Sequence, residues 1–389
     1  MSVDADVPEE KEQRMNVAIL SINLHTRMLN YGAVLHSWFF QQLMLRRSDV
    51  GRCDVIDYVP LVFVNQNKLL YTLTRRSFKT PGTFFRDLAM NLALIRRSGR
   101  FQRFIDREMR CTPERYTFER LKDAHLPYDT VVFESDVIWS PSYFGGQFDP
   151  AFFGAIGSMQ SMRKIAFAAS MGNAYLTEAQ KEECSALMRH LDAISMRETY
   201  ASELIRTLTH KPVMDVVDPV LLAEPSDFDA ITSKRLVKRD YLLIYFPIKP
   251  NNGVIRLAHQ YAKQRGLKVV EVSCQPLHAI RNKTYAAAGI EDFLSLIRNA
   301  SVVFCNSLHG SCLSLLFHRE FYAFDRNGGE KYRNLCQKFV LEDRFVEVKR
   351  FVEARPINWP HIDSLREKFR SESLEWLDRE LKNEHSYQF

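Results

Sequence analysis

The stretch Ser301–Phe317 (SVVFCNSLHGSCLSLLF) constrains the fold more than any other part of the sequence. It opens with a short β-branched run, Ser301–Cys305, passes through a polar turn that includes Gly310, and ends in an apolar run that predicts a helix from about Ser311. A buried strand, a turn and a helix make one βα unit. In open α/β sheets, ligands bind at the carboxyl ends of the strands, where helix N-termini also offer unpaired N–H groups. The turn that carries His309 is therefore the first candidate site.

The same alternation of short apolar strands and helices runs along most of the chain. It predicts an α/β protein whose parallel sheets are covered by helices on both faces. The predicted strands are Asn16–Ile22, Cys53–Tyr58, Thr130–Phe133, Lys164–Ala168, Ala193–Met196, Val213–Val217, Tyr241–Phe246, Lys268–Val272, Ser301–Cys305 and Glu320–Ala323.

A chain of 389 residues is too long for one ordinary core, so two domains are expected. Apolar periodicity lapses over Glu224–Arg239, which is the best boundary. The predicted units are a flexible tail at 1–14, an amino-terminal domain at 15–225, a carboxy-terminal domain at 226–350 and a helical tail at 351–389. Apolar residues along His361–Leu381 share roughly one helical face, and such a helix is expected to pack across both domains.

Positive charge is concentrated in residues 68–122. This part holds 14 lysines and arginines against 5 acidic residues, whereas the whole chain has a net charge of +6. Phe84–Arg97 and Gly99–Met109 both predict helices, so a basic helical insertion in the first domain is expected. Two interpretations stay open: contact with an anionic membrane surface or an anionic acceptor, or a solvated helical hairpin. No nucleic-acid-binding module is recognisable, and nucleic acid is not an expected partner.

Cysteine usage and the amino-terminal sequence indicate the compartment. The seven cysteines form no C-x-x-C pair, which favours reduced thiols and argues against a disulfide framework or a zinc site. Residues 1–14 are polar and acidic, unlike a secretory signal. No segment approaches the ~20 apolar residues of a membrane span. A cytoplasmic protein is predicted, with the inner face of the membrane as its expected place if the basic insertion binds lipid.

Six short motifs follow one another in the order of a known family. They are NYGA at 30–33, ESDVIW at 134–139, AFAASMG at 166–172, ISMRE at 194–198, DVVDPVLL at 215–222 and NSLHGSCLS at 306–314. Over about 300 residues, their order and spacing resemble the polysaccharide pyruvyl transferase family. That family commonly has Gly-Ser-Asp-Gln where this chain has Glu134-Ser135-Asp136-Val137, and often another residue where Leu308 stands.

The resemblance implies two Rossmann-like domains of glycosyltransferase-B type and transfer of pyruvate from phosphoenolpyruvate to a sugar as a ketal. The expected partners are phosphoenolpyruvate and a lipid-linked or nucleotide-linked sugar, with a lipid-linked oligosaccharide preferred. No cofactor and no metal are expected, because arginine, histidine and backbone amides can hold both anionic groups of the donor.

Such a transfer needs cations for the donor's anionic groups, a general acid for the methylene carbon and a base for two sugar hydroxyls. His309 is the best candidate for phosphate ligand and proton donor, because the usual pKa of histidine suits either task. A structural histidine that ties down a turn is the alternative. Asn306, Ser307 and Gly310 are expected around the phosphate, with helix capping as the alternative for the first two.

Two cations complete the predicted donor site. Arg197 follows a strand and is predicted to fork onto the carboxylate or phosphate, with an internal ion pair to Glu198 or Asp218 as the alternative. Lys249 lies at the right sheet edge, although a surface lysine is the commoner case. Arg326 is a weaker candidate cation.

The acceptor site is predicted in the first domain. Asp136 is the candidate base, and Glu134 and Ser135 lie beside it. Asn30 and Tyr31 precede the small pair Gly32-Ala33, which indicates close approach of backbone to a ligand. Trp139 is predicted to stack on a sugar ring, with burial between the domains as the alternative.

Two other functions stay open at this point. One is a nucleotide-sugar-dependent glycosyltransferase of the same architecture, since fold does not fix function. The other is a non-catalytic protein of a polysaccharide-assembly complex. The transferase hypothesis makes one geometric demand: His309, Arg197 and Asp136 must meet in one pocket.

Overall fold

The computed structural model of the protein describes residues 14–22, 24–25, 29–64, 80–172, 175–247, 252–273, 283–324 and 329–383. The strands found there are β1 (Met15–Leu20), β2 (Val50–Val59), β3 (Cys111–Thr117), β4 (Thr130–Glu134), β5 (Arg163–Ala169), β6 (Ala193–Met196), β7 (Val213–Asp215), β8 (Tyr241–Phe246), β9 (Lys268–Ser273), β10 (Lys283–Thr284), β11 (Val302–Cys305), β12 (Glu320–Phe324) and β13 (Phe345–Val346).

The helices in the same ranges are α1 (Tyr31–Leu45), α2 (Leu61–Val64), α3 (Pro81–Glu108), α4 (Phe118–Leu121), α5 (Glu178–Met188), α6 (Thr199–Leu208), α7 (Asn252–Gln264), α8 (Ile290–Arg298), α9 (Leu308–Leu316), α10 (Glu330–Lys338) and α11 (Trp359–Lys382). Short 3₁₀ turns cover Pro150–Phe153, Gly157–Met159, Pro219–Leu222, Pro225–Ile231, Glu342–Arg344 and Val348–Arg350.

The strands form two separate parallel sheets, which confirms the predicted fold class. The first sheet has the order β3-β2-β1-β4-β5-β6-β7 and the second β10-β9-β8-β11-β12-β13. All six residues of β8 are buried, as expected for a strand with helices on both faces of its sheet. In each sheet the strand order reverses at one point, between β1 and β4 and between β8 and β11, and ligands bind beside such points.

The two sheets lie on either side of the predicted boundary at residues 225 and 226, and the boundary itself stays a prediction. A continuous cluster of buried side chains joins the two halves. One contact between the halves is made by Tyr31, whose ring stacks on Phe293 with 4.3 Å between the ring centroids. Helices α1 and α8 therefore join the two halves along one side of the cleft between the sheets.

The carboxy-terminal helix α11 packs across both halves, as the sequence predicted. Trp376 lies 6.2 Å from Phe167 of the first half, measured between ring centroids. Phe369 lies 5.8 Å from Phe339 of the second half. Ser373 Oγ also accepts a hydrogen bond from Val217 N at 3.1 Å, so α11 fixes the connection between the sheets.

The basic insertion differs from the prediction of separate helices. Helix α3 runs unbroken through Gly99, although a glycine inside a helix costs about 1 kcal/mol relative to alanine. Buried Arg97, Phe101 and Phe104 hold the helix on both sides of that glycine. The insertion also contains β3, an edge strand of the first sheet, so it is not wholly helical. The prediction that residues 84–109 form the two helices of a hairpin is therefore wrong.

Two further findings concern the whole molecule. The cysteines that the structure describes are unpaired. No helix in the described ranges is long and apolar enough to cross a bilayer.

Candidate active site between the two sheets

Polar residues gather where the strands of both sheets end. Glu134 is the last residue of β4, Arg197 directly follows β6, and Asp218 lies three residues after β7. From the second sheet, His309 lies four residues after β11. Because parallel strands end at the same edge of a sheet, these side chains meet in the cleft between the sheets.

His309 lies in the first turn of a helix. Helix α9 begins at Leu308, and the Ser307 side chain accepts a hydrogen bond from Gly310 N at 3.2 Å. The predicted start at Ser311 was therefore wrong by three residues. Ser307 is the N-cap, the alternative that the sequence left open. A side chain at Gly310 would place its Cβ 2.9 Å from the Tyr245 ring, so packing requires this glycine.

The first turn of α1 lies directly against His309. A Cβ on Gly32 would come within 2.4 Å of His309 Cγ, a distance that real Cβ atoms do not show. Asn30 caps α1 by accepting a hydrogen bond from Gly32 N at 3.0 Å. The close backbone approach predicted at Gly32-Ala33 is thus an approach to the candidate catalytic histidine.

His36 of α1 stacks on His309 with 5.0 Å between ring centroids. Its Nδ1 donates a hydrogen bond to Glu134 Oε1 at 2.8 Å, and Ser37 Oγ donates to the same carboxylate at 2.6 Å. On the other ring, His309 Nε2 lies 3.5 Å from Asp218 Oδ2. Among the described residues, neither histidine Nε2 has a hydrogen-bond partner. Both atoms are available to a ligand if the cleft opens.

The pKa values of the two stacked rings are shifted in opposite directions. Burial by itself would lower the pKa of His36, but the Glu134 carboxylate outweighs it and raises the pKa above its usual value. Burial, followed by the positive charges of His36 and Arg197, holds the pKa of His309 well below its usual value. His36 is therefore more readily protonated than an ordinary histidine, and at neutral pH His309 is a neutral ring that can accept a proton.

Arg197 forms the internal ion pairs that were the alternative to ligand binding. Its Nε donates to Glu198 Oε1 at 2.9 Å, and its Nη1 donates to Asp218 Oδ2 at 2.8 Å and to Ser135 Oγ at 3.1 Å. Its Nη2 lies 3.8 Å from Asp136 Oδ1. Its side chain is only 2% exposed, so the guanidinium organises the surrounding acids and has no open face for a bidentate ligand.

Asp136 lies on a strained turn directly after β4. Ser135 and Asp136 both adopt left-handed backbone angles, with φ of 48° and 53°. Non-glycine residues pay roughly 1–3 kcal/mol for such conformations, which cluster at functional sites. Burial would raise the pKa of Asp136, but the charge of Arg197 holds it below its usual value. Asp136 is therefore a carboxylate at neutral pH, as a base requires.

The structure brings His309, Arg197 and Asp136 close together, and their meeting in one ligand pocket stays a prediction. His309 and Arg197 both approach Asp218, and Arg197 also approaches Asp136. The three predicted catalytic residues therefore belong to one cluster.

The sequence did not single out Lys331 and Lys338 of α10. Both line a cavity of about 20 Å³ together with Arg197, Glu198 and Asp218. Lys338 Nζ donates to the backbone oxygens of Arg197 and Val216, each at 3.1 Å. In the described part of the chain, Lys331 forms no ion pair. Burial and the nearby Arg197 lower its pKa, so a ligand with negative charge would stabilise its ammonium group.

His36 was also missed, although the sequence carried a signal for it. Polar His36, Ser37 and Gln41 occur within the otherwise apolar helix α1, and all three are buried. Buried polar side chains need partners, so this pattern marks an internal contact. Lys331 has no comparable signal, because a lysine in a polar helix is ordinarily a surface residue.

Four of the predicted acceptor contacts have fully buried side chains that are engaged by other parts of the protein in this structure. Tyr31 packs between the sheets, and its hydroxyl donates to Ala288 O at 2.9 Å. Trp139 stacks on Phe153 at 5.1 Å, in the core of the first domain. The other two, Glu134 and Ser135, bind His36 and Arg197 as described above.

The remaining predicted contacts divide into two groups. Asn30 is half-buried at the start of α1, and Asn306 is buried with its backbone oxygen accepting from Tyr332 OH at 2.6 Å. Lys249 and Arg326 lie outside the described residues. Within those residues, no group of three or more histidines, cysteines and acids is arranged to hold a metal ion.

Two parallel α/β sheets with a charged cluster between their carboxyl edges define a two-domain enzyme of glycosyltransferase-B type. Residues 55–328 match the family model of the polysaccharide pyruvyl transferases. Because this match covers most of the chain, the protein belongs to that enzyme family, whose acceptors are polysaccharides or sugars. No curated protein matches the chain by sequence.

Several solved structures have a similar overall shape. UDP-GlcNAc 2-epimerase from Neisseria meningitidis is 9% identical, with a TM-score of 0.43 over 92% of this chain and 99% of that chain. ADP-heptose heptosyltransferase II from E. coli is 9% identical, with a TM-score of 0.37 over 91% and 99%. Arabidopsis thaliana UGT89C1 is 9% identical, with a TM-score of 0.42 over 93% and 95%. The fold assignment rests on the strand order and not on these values.

Proposed function

We propose that the enzyme transfers the pyruvyl group of phosphoenolpyruvate to two hydroxyls of one sugar in a polysaccharide precursor. The product is a cyclic ketal. The observation that carries this proposal is the pairing of two proton acceptors, neutral His309 and the Asp136 carboxylate, in one cluster of charged side chains. The family membership of the chain supplies the reaction class.

The proton balance of the reaction suits two acceptors. Two C–O bonds form from the sugar hydroxyls to C2 of the donor, and the C2–O bond to phosphate breaks. Two protons leave the hydroxyls; one ends on the methylene carbon, which becomes a methyl group, and one ends on the phosphate. His309 and Asp136 take these protons and return them as acids. His309 was expected to start as a proton donor, and its lowered pKa makes it start as an acceptor.

The donor's negative charge has two sources of stabilisation in this proposal. Lys331 brings an ammonium group without a carboxylate partner among the described residues, on the wall of the cavity. The first turn of α9, where His309 lies, adds the positive end of a helix. A cavity of about 20 Å³ has room for one water. The two sheets must therefore move apart to admit phosphoenolpyruvate.

Arg197 and His36 act indirectly. Arg197 holds Asp136, Glu198 and Asp218 in place, and burial together with the positive charge of protonated His36 keeps His309 neutral. Neither side chain contacts the donor in this proposal, so both are positioning residues.

The proposal is tested with purified protein, phosphoenolpyruvate and an extract of acceptor sugars. Phosphate release together with the mass of one pyruvyl ketal on the acceptor is the expected result. Thermal melting gives a second readout: phosphoenolpyruvate should raise the melting temperature, and UDP- or GDP-sugars should not. Stabilisation by a nucleotide sugar alone would instead support the glycosyltransferase hypothesis.

A further inference from the structure

The outer face of helix α3 carries an unusual stripe of exposed apolar side chains. Phe85 is 66% exposed, Leu88 37%, Leu92 49% and Ile95 50%. Their spacing of three, four and three residues places them on one side of the helix. The other large exposed hydrophobic side chains among the described residues, Tyr175, Val340 and Val352, lie on other elements.

Positive charge outweighs negative charge along the same face. Arg96 and Arg103 are exposed, and the helical period places both beside or beyond the stripe on its own side. In the described part of the chain, neither forms an ion pair. The exposed carboxylate on this side of α3 is that of Asp106, which lies three residues beyond Arg103 and about three turns beyond Ile95. Residues 68–122 as a whole have an excess of nine positive charges.

The other end of α3 is fixed at the candidate active site. Arg97 Nη2 donates to Leu29 O at 2.9 Å, and its guanidinium lies 4.3 Å from the centroid of the Tyr31 ring. Arg107 pairs with Glu291 of α8 at 2.9 Å. The contact with Leu29 and Tyr31 is at the start of α1, which borders His309 through Gly32. The end of the apolar stripe at Ile95, two residues before Arg97, therefore lies close to the cleft.

We propose that the face of α3 formed by Phe85, Leu88, Leu92 and Ile95 binds the surface of an anionic lipid bilayer. The apolar side chains enter the boundary between headgroups and acyl chains, and Arg96 and Arg103 contact the anionic headgroups. The charge pattern favours a membrane over a second copy of the chain, because pairing two such faces would bring one cationic surface against another.

The binding itself does not depend on the proposed function. Its consequence for the reaction does: a cleft held near the bilayer would reach an acceptor sugar carried on a lipid. The test therefore measures membrane binding without any substrate.

Vesicles of phosphatidylcholine and phosphatidylglycerol in equal parts are sedimented with the protein, beside vesicles of phosphatidylcholine alone. The wild type should partition onto the anionic vesicles and be released by high salt. For the double variant Leu88→Ser with Leu92→Ser, the partition coefficient onto the anionic vesicles should be about tenfold lower than for the wild type. The variant Arg96→Gln with Arg103→Gln should lose the preference for phosphatidylglycerol.

The matched control is Val340→Ser with Val352→Ser, which removes two exposed apolar side chains from other parts of the surface and should bind like the wild type. Far-UV circular dichroism and melting curves check that all variants are folded. The proposal is overturned if the wild type ignores the vesicles or if the serine variant binds equally well. It is also overturned if sedimentation velocity shows a wild-type dimer that the serine substitutions dissociate, because the stripe then binds a second copy.

Discussion

The amino-terminal ends of α1 and α9 meet face to face and carry the two stacked histidines, His36 in the second turn of α1 and His309 in the first turn of α9, yet they differ in what surrounds each ring. His36 has the Glu134 carboxylate at 2.8 Å, and this pair is fully buried. His309 faces positive charge from His36 and Arg197, with Asp218 only at 3.5 Å. Two identical side chains 5.0 Å apart therefore have pKa values pushed in opposite directions.

This difference assigns roles to the two rings. A pair of titratable groups whose environments separate their pKa values provides one charged and one neutral partner at the same pH. His309, the neutral ring, lies in the first turn of its helix and can accept a proton. His36, whose pKa is raised, is held by Glu134, and when protonated it adds to the effect of burial in lowering the pKa of His309.

The strongest test of this comparison is His309→Asn, which keeps the size of the side chain roughly and removes the proton acceptor. We expect kcat to fall about 10²–10⁴-fold, the usual range for one acid–base residue. Phosphate release from phosphoenolpyruvate in the presence of acceptor measures it.

His318→Asn is the matched control, because His318 lies just after the end of the same helix, pairs with Asp363 and has a side chain that is 44% exposed. It should leave kcat unchanged. An active His309→Asn enzyme would remove His309 from the mechanism.

The second test removes the cation on the α10 side of the cluster. Lys331→Met should raise KM for phosphoenolpyruvate about 10–100-fold, because one hydrogen bond to a charged group contributes roughly 1.5–3 kcal/mol. Initial rates over a range of donor concentrations separate KM from kcat. Lys368→Met, with a side chain that is 66% exposed, is the control. An unchanged KM would show that Lys331 does not bind the donor.

The smallest expected effect sharpens the comparison most. His309 must be neutral to accept a proton, so activity is lost as pH falls through its pKa. Since that pKa is well below 6.5, kcat/KM of the wild type should stay constant as the pH is lowered through 6.5, and should fall only at lower pH. In Glu134→Gln, burial leaves His36 uncharged, and the pKa of His309 rises. The acidic limb should then move up by about one pH unit.

Profiles of kcat/KM against pH for the two enzymes give this shift directly. Glu203→Gln, at an exposed position on α6, should have the wild-type profile. If the Glu134→Gln limb coincides with that of the wild type, the charge of His36 does not control His309, and the difference between the two helix ends has no catalytic meaning.

The fold and the location of the cluster were predictable because they depend on local pattern. Buried β-branched runs followed by polar residues marked the ends of β4, β6 and β11, and parallel strands bring such ends together. This reasoning placed Asp136, Arg197 and His309 in one site. The helical period likewise predicted that α11 contacts both halves.

The predictions that failed concern contacts between distant parts of the chain. Tyr31 and Trp139 have the aromatic rings that sugars stack on, but their neighbours Phe293 and Phe153 bury them. Nothing local distinguishes the two cases. Helix α3 continues through Gly99 because tertiary packing of Arg97, Phe101 and Phe104 outweighs the local preference of one glycine.

The sequence by itself determined the class of fold, the order of the strand-end motifs and the residue types available for chemistry. Only the tertiary structure decided that Arg197 is enclosed by acids, that Lys331 joins the cluster, and that the pKa of His36 is raised while that of His309 is lowered. The physical reason is that strands and helices follow from the spacing of residues along the chain. The charge of a buried group depends instead on the few side chains that folding brings within a few ångströms of it.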